Sequence, residues 1–238
     1  MDDYNVMNQM YETQGVAYEA EPVGRYTAKT FGWMFLGLLV TFMVSMIGYI
    51  TGAIIYVFMI PYAVFVLAIA EVAVVLFLSA RINKMSVGAA RGLFFLYAVL
   101  NGIVFSAYFL MYNVLDMVIV FAATSLFFGV MALVGYVTKA DLSKVRNFLV
   151  GGLLFLVAFW LFGMFINLAQ FEMIACTAGI FIFLLFTAYD TQKIKAYHAA
   201  YSQNPEMAKK ASIFSALQLY LDFINLFLYL LRVLGRRK

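Results

Sequence analysis

Residues 211–231, ASIFSALQLYLDFINLFLYLL, hold one charged side chain, Asp222. The run is long enough to cross a bilayer, because about 20 residues rising 1.5 Å each span the hydrocarbon core. An ionised side chain near the bilayer centre costs roughly 2.5–3.5 kcal/mol on insertion scales, so such a residue marks function by default and needs a partner. Ser215, Gln218, Asp222, Asn225 and Tyr229 follow steps of three or four and form one polar stripe on a segment otherwise rich in Leu, Phe and Ile. Lipid cannot satisfy that stripe, so it must face other helices or a water-filled cavity.

The rest of the chain agrees with a membrane setting. Of 238 residues, 66% are hydrophobic and 12% charged, with a mean hydropathy of +0.94. Soluble domains carry roughly 25% charged residues. The fold class is therefore an all-α polytopic membrane protein, since a barrel would show short alternating segments in place of long apolar runs. The net charge of +4 comes from loops and speaks to topology, not to nucleic acid. A single cysteine, Cys176, excludes an internal disulfide and any multi-cysteine metal cluster.

Residues 1–24 are polar and acidic, without the basic start and apolar core of a signal peptide, so the first span is expected to stay as an anchor. Residues 1–25 read as a cytosolic tail and 26–238 as the transmembrane domain. Tyr4, Tyr11 and Tyr18 recur every seven residues in that tail, which fits chance spacing or a weak amphipathic docking strip.

Residues 30–70 carry no charge and are too many for one span. Thr51-Gly52 marks a turn, and Pro61 suits the first turn of a new helix. The expected spans are about 30–50, 58–80, 92–111, 117–137, 147–166, 172–193 and 211–233. A polar loop over 196–210 contains Pro205. No internal repeat is visible, which disfavours a transporter built from inverted repeats. With the N-terminus inside, twelve Lys and Arg fall on inner segments, and the first three outer loops hold none. Arg232, Arg236, Arg237 and Lys238 then lie outside if the last span crosses fully. Either these are exported or a late segment is re-entrant; the length of 211–233 favours full crossing.

Three carboxylates lie within the apolar spans: Glu71, Asp190 and Asp222. Thr187, Asp190 and Thr191 form a short polar patch on the sixth span. The sixth and seventh spans are antiparallel neighbours by their short connection, so Asp190 and Asp222 can meet. Counted from the inner ends of the expected spans, Asp190 lies about a turn shallower than Asp222. The alternative reading places Asp190 at the aqueous boundary of its helix.

Residues 219–227, LYLDFINLF, resemble the signature of the Bax inhibitor (transmembrane Bax inhibitor motif) family, as seen in bacterial members. Residues 189–192, YDTQ, resemble the family's penultimate-helix motif, and Glu71-Val72-Ala73 matches its second-helix glutamate. The resemblance covers about residues 25–238. It implies seven helices around a central last helix and a pH-sensitive passive calcium leak. It further implies that Asp190 and Asp222 form a hydrogen-bonded dyad that senses pH and binds the permeant calcium. A basic residue at the inner end of the second helix would latch onto the dyad, and Arg81 is the arginine near that position. Glu71, Thr187, Thr191, Gln218 and Asn225 would support the dyad. Bacterial relatives are also linked to membrane-bound AAA proteases, so a non-conducting regulator bound to such a protease or another membrane complex is the second reading.

Other chemistry finds no foothold. His198 is a lone loop histidine, and Cys176 sits among small apolar residues as packing. There is no phosphate loop, zinc motif or serine elbow. An intramembrane aspartyl protease would need glycines beside its aspartates, and residues 189–191 and 221–223 lack them. No enzyme activity and no cofactor are expected. The expected partners are the lipid bilayer, protons and calcium, in a bacterial inner membrane with the N-terminus cytoplasmic.

Overall fold

The computed structural model describes residues 21–235, which form eight α-helices and two 3-10 turns. Most of the tail expected over 1–25, with its three tyrosines, lies outside the described residues. The helices are α1 (Val23–Ile50), α2 (Ala53–Met59), α3 (Ala63–Arg81), α4 (Val87–Met111), α5 (Val114–Val137), α6 (Arg146–Gly163), α7 (Glu172–Tyr201) and α8 (Pro205–Leu234). Seven are long and apolar enough to cross a membrane; α2 is the exception, a short helix between α1 and α3. No strand occurs among the described residues.

Local chemistry sets the boundaries. Gly52, at φ 69°, turns the chain out of α1 in the left-handed region that glycine adopts without strain. Ser86 caps α4 by accepting from the Ala89 N–H at 3.1 Å. Asn204 caps α8 by accepting from the Met207 N–H at 3.0 Å, and Pro205 occupies the first helical position, where its missing N–H costs nothing. Two features differ from those expected from the sequence. Pro61 lies in the turn before α3, not in its first helical turn. The polar loop expected over 196–210 shrinks to Ser202–Asn204, because α7 runs on to Tyr201 and α8 starts at Pro205.

The bundle is organised around α8. Seventy-two per cent of its spanning window is buried, against 6% for α3 and 11% for α6. It packs on α7, α1, α5 and α4. Leu219, Tyr220 and Leu226 are fully enclosed. The outward faces of α3 and α6 carry exposed Val66, Ile69, Phe155 and Phe162, as a lipid-facing ring should. Helix α8 is one unbroken helix of 30 residues, about 45 Å at 1.5 Å per residue. Near its far end Arg232 pairs with Glu172 at the start of α7, at 3.5 Å, and lies 4.0 Å over the Trp160 ring. The helix has no break between Pro205 and Leu234.

Lys210 is the one buried cation among the described residues, 4% exposed. Its ammonium pairs with Glu206 at 3.1 Å and donates to the carbonyls of Met85 at 3.2 Å and Asn83 at 3.5 Å. A charged donor so placed ties the start of α8 to the α3–α4 turn.

Candidate functional site

Helices α7 and α8 run antiparallel in one register. Lys193 faces Gln218, Asp190 faces Asp222, and the Phe183 ring stacks with that of Tyr229. Extended by helical geometry, that register sets Tyr201 level with Ala211, so the first turn and a half of α8 projects past the end of α7. The Tyr26 hydroxyl donates to the Ala208 carbonyl of that projection at 3.0 Å. The projection removes the depth difference counted from the shorter expected helices.

Asp190 and Asp222 meet in the helix interface, 6% and 4% exposed. Their side chains are within hydrogen-bonding reach of one another. A carboxylate cannot donate, so the contact is a hydrogen bond only while the pair holds a proton. Asp190 Oδ1 and Asp222 Oδ2 are both buried with no hydrogen-bond partner among the described residues. Thr191 Oγ1 and Ser215 Oγ on the same two helices are in the same condition. Buried polar atoms without partners are costly, and functional sites are one place where they persist.

Lys193 is the cation beside the pair. Its Nζ lies 3.9 Å from Asp190 Oδ1 and donates to Gln218 Oε1 at 3.3 Å. Rings of Tyr189, Tyr197 and Phe214 surround it at 5.4–5.9 Å. One proton on the carboxyl pair leaves the group with one negative and one positive charge. Loss of that proton leaves a net negative charge in the interface. Lys193 is not among the site residues expected from the sequence. Its spacing of three from Asp190 on a continuing helix was the signal that could have found it.

The other expected residues divide. Gln218 joins the site through Lys193. Thr187 is fully buried beside it, but its hydroxyl donates to the Phe183 carbonyl of its own helix at 2.8 Å. Asn225 likewise donates to the Leu221 carbonyl at 2.8 Å. Glu71 stands apart, at the α3–α4 interface, where it accepts from Asn101 Nδ2 at 3.3 Å. Arg81 ends α3 exposed, with no ion pair among the described residues. Gln192 of the YDTQ motif clamps the loop after α5. It accepts from the Leu142 N–H at 2.9 Å and donates to the Ala140 carbonyl at 2.8 Å.

The chain matches the family model for inhibitor of apoptosis-promoting Bax1 over residues 23–238. It belongs to the Bax inhibitor family. Inner membrane protein YbhL of Escherichia coli K12 is 37% identical over 215 residues, covering 90% of this chain and 92% of the relative. Protein RP147 of Rickettsia prowazekii is 36% identical over 220 residues, covering 92% of each chain. Membrane protein SpyM3_0260 of Streptococcus pyogenes is 31% identical over 163 residues, covering 68% of this chain and 70% of the relative. The seven apolar helices and the Escherichia coli relative support an integral inner-membrane protein of the Bax inhibitor family.

Proposed function

We propose that this Bax inhibitor family protein is a proton-sensitive passive cation leak in the inner membrane, with its N-terminus cytoplasmic and calcium as the permeant ion. The observation that carries this reading is the Asp190–Asp222 pair, two carboxyls enclosed between the central helices with Lys193 beside them. Calcium is a hard cation that prefers oxygen ligands, and a deprotonated pair offers them. A pair that binds either a proton or a cation couples flux to pH without any catalytic step.

Two charges can block such a site. Lys193 already neutralises Asp190. In the latch reading, Arg81 reaches the deprotonated pair in a second conformation and holds α3 against α7 and α8. Acid removes the negative charge that attracts either cation, so flux rises as pH falls. At still lower pH the carboxyls no longer attract calcium, and flux falls again. Lys193→Gln is expected to raise the neutral-pH leak about twofold to fivefold, the range that about 0.5–1 kcal/mol for a partly exposed ion pair gives. Arg81→Ala is expected to raise it too and to flatten the acid response. A wild-type pH profile in Arg81→Ala would remove Arg81 as the latch.

The deciding measurement is calcium flux into liposomes holding purified full-length protein, followed with a trapped indicator across pH 5–8. Absence of flux over empty liposomes at every pH would sink the leak reading. Deleting residues 2–20 should spare flux; loss of a membrane-protease interaction on that deletion would instead favour the regulator.

A further inference from the structure

At the end of the bundle where α1 begins and α7 turns into α8, a cavity of about 670 Å³ opens beside α1. That is within the roughly 300–1,000 Å³ of small-ligand sites. Three cations line it: Lys29, Arg91 and Lys209. Lys29 is taken by Glu21, at 2.6 Å. Arg91 and Lys209 have no ion pair among the described residues, and both are exposed. The Arg91 guanidinium lies over the Trp33 ring, 4.9 Å from its centre, which favours its position at the cavity wall. Trp33, Phe35 and Leu36 form the apolar side of the same cavity.

A second cavity, about 340 Å³ and almost wholly apolar, lies between α1, α4, α5 and α8. Phe35 lines both. In the second, Phe223, Ile224 and Phe227 of the central helix come to the wall, on the turns that follow Asp222. Basic groups beside an interfacial tryptophan, next to an apolar groove in the spanning region, match the two ends of a lipid.

We propose that the cavity lined by Arg91 and Lys209 binds the phosphate-bearing headgroup of an anionic phospholipid, whose acyl chain passes Phe35 into the groove against α8. The shared chemistry is a phosphate ester; the apolar groove beyond Phe35 selects the lipid over a soluble phosphate. Both cations are placed to contact phosphate oxygens, and each is worth about fivefold in affinity near a membrane surface. A lipid seated there rests on the helix that carries Asp222.

Native mass spectrometry of the full-length protein in detergent, doped with phosphatidylglycerol or phosphatidylcholine, tests this. Phosphatidylglycerol should stay bound preferentially. Arg91→Gln/Lys209→Gln should weaken its binding about thirtyfold, while Lys139→Gln/Lys144→Gln, with the same charge change elsewhere, should leave it unchanged. Thermal melting identifies a double variant that has lost its fold. In that case Lys209→Gln alone, at an exposed position, should still show about fivefold weakening. Equal binding of the two lipids, or equal losses in the site and control variants, would overturn the proposal. Displacement of phosphatidylglycerol by an equal concentration of glycerol 3-phosphate would overturn it too, by making the ligand a soluble phosphate ester.

Discussion

Asp222→Asn is expected to lower calcium flux roughly tenfold to a hundredfold at every pH from 5 to 8, and to flatten its pH dependence. The substitution keeps the shape of the side chain and its ability to hydrogen-bond Asp190. It removes the charge and the exchangeable proton together. Asp190 and Lys193 then form a neutral pair, 3.9 Å apart, with no net attraction for a divalent ion. An interaction with a charged group is typically worth about 1.5–3 kcal/mol, which sets the expected fold-change. The sign with pH is definite. In the wild type, acid first releases the blocking cation and raises flux, then removes the carboxylate and lowers it. In Asp222→Asn only Asp190, held by Lys193, can still take up a proton, so the response of the pair is lost. The check is the same liposome assay, with insertion controlled by quantifying protein per vesicle. A variant that keeps the wild-type pH profile would place the sensor elsewhere. A wild-type response lying wholly below about pH 4, the ordinary range of an aspartate, would also remove the pair as the sensor.

Gly135→Val is expected to destabilise the protein by roughly 1–3 kcal/mol and to disturb the site as well. Gly135 is on α5, where it meets α7. A Cβ there would run into the backbone of Ala188, its carbonyl oxygen first. Backbone cannot yield as a flexible side chain can, so one helix must shift. Ala188 lies two residues from Asp190, so that shift is carried to the carboxyl pair. Gly129→Val is the control on the same helix, because a Cβ at Gly129 meets nothing within 4 Å. Thermal unfolding in detergent should separate the two variants by several degrees, and only Gly135→Val should reduce flux. If both melt alike, the close approach of α5 and α7 is not the constraint the geometry describes.

Much of the architecture is legible in the chain because membrane insertion is a local property. Each long apolar run is read by hydropathy without knowledge of its neighbours, and seven such runs give seven helices. The polar stripe on 215–229 likewise announces a segment that cannot face lipid, and α8 is indeed the most buried span. The misreadings occur where hydropathy falls but helix continues. Lys195, His198, Lys209 and Lys210 made the end of α7 and the start of α8 look like loop. Three of them are held in the helix by partners in the fold. Lys195 donates to the Tyr136 carbonyl, His198 contacts the Glu21 carbonyl, and Lys210 is tied to the α3–α4 turn.

Membrane class, the spans and the candidate carboxylates follow from residue type and local periodicity, because burial in lipid acts on each segment separately. Which groups share a site does not follow, because it depends on register between helices. A shift of one turn along α8 would set Asp222 against a different face of α7. Side-chain packing holds the register, through the Phe183–Tyr229 stack and the tight passage of the Tyr229 ring by Gly179. Only that packing puts Lys193, and not Arg81, beside Asp190 in this conformation, and it leaves Glu71 with Asn101 between α3 and α4.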